Sequence, residues 1–275
     1  MMEENASSTP PPSLMLLARE VLSLGELACF LASQPWLRAA PRAVDDHPVL
    51  VIPPFFGDDQ STSALRMYLS SLGHNVHGWK LGRNLWRTPE LVDGVPRRLF
   101  ELRDRFDDKV SLVGWSAGGI WAREMAREFP DAVRQVISMG SPFRLRQSDD
   151  THAAWLLELV KHRHLPEPDF MSRPEHERPR VPVPTTAIYS RTDGVAHWES
   201  CIEAFGPDLE NIEVQGTHTG LAHNVAVAFA IADRLAQREG SWQPFHSPCW
   251  LSPLFPPAAH FTPDGTTEHR LAFVA

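Results

Sequence analysis

Cysteine is scarce in this chain. Its three cysteines, Cys29, Cys201 and Cys249, stand far apart and form no CxxC pair. That pattern argues against a disulfide framework and a zinc knuckle, and for a reducing compartment. A long basic cluster is also missing: 26 basic residues face 34 acidic ones, for a net charge of −8. The electrostatic footprint of a nucleic-acid binder is therefore absent, and acidity of this size serves solubility. The opening MMEENASSTPPP lacks the positive start of a secretory signal, so a cytoplasmic location is expected. The apolar stretch SLMLLAREVLSLGELACFLASQPWL is broken by Arg19, Glu20 and Glu26, too interrupted to cross a bilayer. No internal repeat is present.

That broken stretch places Arg19, Ser23, Glu26 and Ser33 near one face at helical spacing, which describes an amphipathic helix. Two readings follow: its apolar stripe packs on the domain, the favoured one, or it makes a weak contact with a membrane surface. The chain as a whole is 43% hydrophobic, enough for one large core or two small ones. In HPVLVIPPFFGDD, residues 49 to 52 form a near-continuous apolar run, as expected of a strand buried on both faces. Ser61 or Thr62 is placed to cap a helix through Leu65, Met67, Tyr68 and Leu69, closed by Gly73. NVHGWKL reads as the next strand and residues 89 to 106 as a helix. QVISMGSPF, TTAIYS and NIEVQG read as further strands, and residues 225 to 235 as a last helix. Strands alternating with helices imply an α/β fold with a mostly parallel sheet and helices on both faces.

Two regions break this rhythm. Residues 143 to 180 are charged and contain proline around one short apolar helix, AAWLLELV; they form either a small lid insertion over a site or a surface excursion. Residues 241 to 275 carry Trp242, Phe245, Trp250, Phe255 and Phe261, which argue for an arm lying across the domain. The expected organisation is a tail and amphipathic helix over 1–47, an α/β core over 48–240 with its lid, and a C-terminal arm over 241–275.

The stretch KVSLVGWSAGGIWARE carries the chemistry. Val110, Leu112 and Val113 read as a strand, and residues from Ile120 onward suit a helix. Ser116 sits at the apex of the turn between them, flanked by Gly114 and Gly118. Such a turn lifts one hydroxyl clear of the sheet, just before a helix N-terminus. G-x-S-x-G between strand and helix is a nucleophile elbow. By this pentapeptide in this context the chain resembles the α/β-hydrolase superfamily, in particular its bacterial esterase and lipase branch, over roughly residues 48 to 238. The segments GHNVHGWKLGRNLW and THTGLAHNVAVAFAIADRLAQ are similar to one set of bacterial lipase-like hydrolases. The resemblance implies the α/β-hydrolase fold.

It also implies a chain order of serine, acid, histidine, because a serine hydroxyl needs a base and a group to orient that base. Asp193, just past TTAIYS, is the expected acid, with Asp208 in a turn as its competitor. His218, in the loop after NIEVQG, is the expected base, with His223 as the rival. The implied oxyanion hole uses backbone N–H groups of Ala117 and of the PPFFGDDQ loop, where Phe55 occupies the matching place and Phe56 is the alternative. Proline has no N–H to offer, and Pro53-Pro54 replaces the His-Gly or Pro-Gly usual there. Phe56 and Trp115 are expected to line an apolar acyl pocket, although packing beneath the loop is an equal reading for the phenylalanines. No metal site and no cofactor are expected.

The implied function is a serine carboxylic ester hydrolase acting through an acyl-enzyme on apolar small-molecule or lipid esters. An acyltransferase or thioesterase would use the same three residues, and a non-catalytic binding protein on this fold is the third reading. Epoxide hydrolases and haloalkane dehalogenases are disfavoured, since they need aspartate at position 116.

Overall fold

The computed structural model describes residues 11–145, 151–167, 173–261 and 267–269. The N-terminal tail 1–10, the parts 146–150 and 168–172 of the expected lid, and 262–266 and 270–275 of the arm lie outside the described residues.

Six strands build one parallel sheet: β1 (Pro48–Ile52), β2 (Asn75–Gly78), β3 (Val110–Trp115), β4 (Val133–Met139), β5 (Thr185–Ser190) and β6 (Leu209–Val214). Their order is β2-β1-β3-β4-β5-β6. Every residue of β1, β3, β4 and β5 is buried, which is why β1 reads as an unbroken apolar run rather than an alternating one, while the polar residues of β3, β4 and β5 are buried too. Alternation appears instead between the two faces, as the two-residue period of a strand requires. Val49, Val51, Val113 and Ile137 pack with Leu65, Tyr68 and Leu69 of α4 (Ser63–Ser71) and with Val227 and Ile231 of α8 (Val225–Leu235). Leu50, Ile52, Leu112 and Val136 point the other way, onto Leu99 and Leu102 of α5 (Pro89–Phe106) and Trp121 and Met125 of α6 (Ala117–Glu128). A fully buried leucine such as Leu99 contributes about 1.5–3 kcal/mol. The sheet is thus sandwiched by helices on both faces.

The strand order reverses at β1: the chain steps outward to β2, then returns past β1 to β3. Loops leaving the carboxyl ends of β1 and β3 flank a crevice there, the place where open α/β sheets bind ligands. β2 is shorter than NVHGWKL suggests. It stops at Gly78 because the Asp59 carboxylate accepts the N–H groups of Trp79 (2.9 Å) and Lys80 (3.0 Å), turning the chain out of the sheet.

The N-terminal segment meets the domain through both apolar and acidic side chains. It forms three short helices, α1 (Leu14–Arg19), α2 (Ser23–Ala32) and α3 (Gln34–Leu37). Phe30 and Leu37 are buried in the core, while Leu14, Met15, Val21, Leu24, Leu31 and Trp36 are exposed. Glu20 and Glu26 also turn inward, where they accept backbone N–H groups of the loops after β5 and β6. Helical spacing cannot reveal this, because the partners of the polar face are backbone groups far along the chain.

The arm's described part crosses the domain surface. Phe245 packs on Phe255 with ring centroids 4.8 Å apart, and Trp250 meets Phe229 of α8 edge-on at 6.1 Å. β7 (Ala259–Phe261) pairs antiparallel with β8 (Thr267–His269), and the Ala259 N–H donates to the buried Tyr189 hydroxyl at 2.7 Å. No helix among the described residues is long and apolar enough to cross a membrane.

Candidate active site

Trp115 ends β3 and Ala117 begins α6, so Ser116 alone makes the turn. It adopts φ 54° and ψ −122°, a conformation that costs a non-glycine residue about 1–3 kcal/mol and persists only where the surroundings enforce it. They do so here: a Cβ at Gly114 would collide with the backbone of Gly118 and Gly119, and one at Gly118 with the carbonyl of Ile52 in β1. The two glycines let α6 start directly against its own strand and its neighbour. The Ser116 N–H donates to the Met139 carbonyl at 2.9 Å, which anchors the turn to the end of β4.

The loop after β1 is held by one residue that sequence reading missed. Asn84, fully buried, donates from Nδ2 to the Pro53 carbonyl (2.8 Å) and from its N–H to the Gly57 carbonyl (2.7 Å), while its own carbonyl accepts the Phe56 N–H (2.7 Å). Phe56 lies in the left-handed region at φ 62°. Its amide is therefore engaged away from the site, and it does not line the cavity, which corrects both roles considered for it. Phe55 and Ala117 do line the cavity beside Ser116. Trp115 is a second correction: it is buried in the core beneath the site, and its indole N–H donates to the His218 carbonyl at 3.1 Å. It packs with the α4 and α8 side of the sheet and does not line the cavity.

Asp193 and His218 come together from the loops after β5 and β6. The Asp193 Oδ1 accepts the N–H groups of Val195 and Ala196, both at 2.8 Å, and its Oδ2 lies 2.6 Å from His218 Nδ1. A carboxylate only accepts, so Nδ1 carries the proton and Nε2 keeps a lone pair. Burial alone would depress the imidazole's pKa. The charge and hydrogen bond of Asp193, with a smaller contribution from Glu20, outweigh it and hold His218 above the ordinary histidine value. The two loops are laced together: Ser190 Oγ (2.7 Å) and Thr192 Oγ1 (2.9 Å) both donate to the Gly216 carbonyl. Gly140, at φ 55° just beyond Met139, packs under the pair, and a Cβ there would lie 3.2 Å from His218 Nδ1 and 3.3 Å from Asp193 Oδ2. The strand end that anchors the Ser116 amide thus also abuts Asp193 and His218.

The competing residues lie elsewhere. His223 Nε2 is 3.1 Å from the Ser23 carbonyl at the start of α2. Asp208 occupies a left-handed turn at φ 59°, its carbonyl accepting the Thr185 N–H. Among the described residues no group of three His, Cys, Asp or Glu side chains is arranged to hold a metal.

Ser116 and Ala117 open onto a cavity of about 620 Å³, lined also by Phe55, Trp86 and Ile120, by Phe143 and by Leu157 of α7 (Ala154–Val160), with Glu167, Arg173 and Arg178 adding charge. That volume is in the range of small-molecule sites. The 143–180 segment is tied down around the cavity. Thr151 Oγ1 donates to the Val195 carbonyl (2.8 Å), the Leu165 N–H donates to the Arg87 carbonyl (2.9 Å), and Glu175 pairs with Arg123 of α6 at 2.5 Å. Arg123 also pairs with Glu203, and Arg127 and Arg178 complete a buried ionic network with Glu124 and Glu175. Breaking one member strands buried charge. Arg123→Met is expected to lower unfolding stability by about 3–5 kcal/mol, read as a lower urea midpoint; an unchanged midpoint would show the network to be neutral.

No known protein-family profile and no curated protein sequence matches the chain. Solved structures do resemble it. Lipase B of Aspergillus fumigatus superposes with a TM-score of 0.53 at 18% identity, over 74% of this chain and 57% of the fungal one, so the chain spans little more than half that enzyme's length. The lipase BlEst2 of Bacillus licheniformis in its mature form gives a TM-score of 0.50 at 13% identity, over 69% of this chain and 91% of that one. Parallel sheet, strand-to-helix elbow and these likenesses converge on one conclusion: the protein has the α/β-hydrolase fold.

Proposed function

We propose that the protein is a serine carboxylic ester hydrolase of the bacterial esterase and lipase type, acting on apolar acyl esters. The observation that carries this reading is a strained serine at the end of β3, on a mostly apolar cavity, with a hydrogen-bonded Asp–His pair on the loops after β5 and β6. The fungal and bacterial structures above are named as lipases, which supports an ester substrate.

In the proposed reaction, His218 Nε2 takes the proton of Ser116 as Oγ attacks the ester carbonyl. The carbonyl oxygen becomes an oxyanion held by the N–H groups of Ala117 and Phe55, the first at a helix N-terminus. The imidazolium, stabilised by Asp193, returns the proton to the departing alkoxide, leaving an acyl group on Ser116. Water, deprotonated by His218, then attacks that acyl carbon, and Oγ leaves with the proton. The 143–180 segment serves as a lid that excludes bulk water, and the flanking 1–47 and 241–275 segments brace the 48–240 core. No cofactor takes part. The exposed apolar face of α1–α3 makes a weak contact with lipid aggregates. The unpaired cysteines favour the cytoplasm as compartment.

The test is hydrolysis of p-nitrophenyl esters from acetyl to palmitoyl, below and above each ester's solubility limit. The expected result is an optimum at a medium or long acyl chain, with faster turnover once the substrate aggregates. Acyl transfer to an added alcohol or thiol in place of hydrolysis would reassign the acceptor. Release no faster than buffer across the series would sink the ester reading.

A further inference from the structure

The inward-turned carboxylates of the N-terminal helices lead to one residue. Glu20 lies in the single turn between α1 and α2, far in sequence from any part of the site. Its Oε1 accepts the N–H of Gly194 and the N–H of His218, each at 2.9 Å. Its Oε2 accepts the N–H of Thr219 at 2.9 Å and the Thr219 hydroxyl at 2.6 Å. One carboxylate thus grips the residue after the acid, the base itself and the residue after the base. Half-burial would push the Glu20 carboxyl up, but these four hydrogen bonds hold it below the usual range, so the ionised form is the one bound. Glu26 repeats the device, accepting the Thr217 N–H at 2.8 Å and hydroxyl at 3.1 Å.

We infer that Glu20 is a positioning residue of the active site: a carboxylate from the N-terminal helices that fixes the acid and base loops relative to each other and adds its negative field to that of Asp193 at the His218 imidazole. This rests on the proposed roles of Ser116, Asp193 and His218. The geometry explains why Glu20 and Glu26 turn toward the domain beside the buried Phe30. Backbone N–H groups bound to a charged acceptor form stronger bonds than neutral pairs. Displacement of a catalytic group by about 1 Å is enough to cost about 100-fold in rate. The charged groups that act on His218 are Asp193 from the acid loop and Glu20 from the N-terminal helices; Glu26 binds the neighbouring Thr217, and His223 faces the Ser23 carbonyl. Removing the Glu20 charge withdraws one of the influences that favour the imidazolium.

Glu20→Gln in the full chain tests this by its kcat, KM and pH–rate profile on the best p-nitrophenyl ester. The expected result is a kcat lower by about 100-fold, a KM within a few-fold of wild type, and an acid limb moved to lower pH. Wild-type kcat with an unmoved acid limb would overturn the inference, as would lost thermal stability with kinetics intact in the folded fraction. Should this variant not fold, Thr219→Val, which removes only the hydroxyl contact, is read the same way with a smaller expected fall in kcat. If wild type hydrolyses no ester, the functional reading has failed on its own account. The inference is then decided by NMR titration of the His218 ring, whose midpoint is expected to fall in Glu20→Gln; an unchanged midpoint overturns it.

Discussion

Ser116→Ala is expected to lower kcat about a million-fold, with KM and thermal unfolding close to wild type. The size of the effect follows from the proposed roles acting as a unit. Without Oγ no acyl-enzyme forms, and His218 has no proton to take; only binding and the N–H groups of Ala117 and Phe55 are left to favour reaction. The neutral effect on stability follows from the turn. Alanine carries the same Cβ as serine at φ 54°, so the strain is unchanged, and the Ser116 N–H that donates to Met139 is retained. Assayed on the optimal p-nitrophenyl ester, a variant within tenfold of wild type would mean that Ser116 is a turn residue.

Asp193→Asn is expected to lower kcat by about ten-thousand-fold. An asparagine at 193 can still accept from Val195 and Ala196, so the loop keeps its shape. Its amide NH₂, however, faces His218 Nδ1, which must then accept. The imidazole proton moves to Nε2, where it points a donor at the place a lone pair is needed. The pH dependence has a definite sign. Burial lowers the His218 pKa, and Asp193 more than reverses this. Removing the carboxylate charge therefore shifts the acid limb of any residual activity to lower pH. Stability follows the same linkage. A histidine pKa raised by folding stabilises the wild type fully below the unfolded value near 6.5, and that contribution is lost as pH rises through the folded value. The variant lacks this pH-dependent increment, as paired thermal melts at acid and alkaline pH would show. A fall of less than tenfold with an unmoved acid limb would contradict the assigned role.

The fold was legible because the sheet is buried on both sides. Val49 to Ile52 and Val110 to Val113 carry no polar face to confuse with a helix, and each precedes a loop of distinct chemistry. The elbow was legible because its tight backbone contacts demand glycine at 114 and 118. Asp193 and His218 could be placed from their positions after strands, and the structure brings them to hydrogen-bonding distance. What sequence could not show were side chains whose partners are distant backbone groups. Asn84 reads as one more polar loop residue, yet it organises the Pro53–Gly57 loop. Glu26 reads as part of the polar face of an amphipathic helix and Glu20 only as a charge that interrupts the apolar stretch, since periodicity separates polar from apolar without saying which side meets the domain. Phe56 and Trp115 illustrate the converse limit. An aromatic beside a catalytic candidate in sequence projects by strand geometry and local φ, and here those turn both away from the cavity.

The central claim is that Ser116 is an activated nucleophile. Its most direct measurement is the intact mass and peptide map of the protein after treatment with diisopropyl fluorophosphate, in wild type and in Ser116→Ala. A serine made nucleophilic by His218 attacks phosphorus and expels fluoride, so the account predicts a single phosphoryl adduct, mapped to Ser116 and absent from the variant. An unmodified wild type, or an adduct that persists in Ser116→Ala, would contradict it.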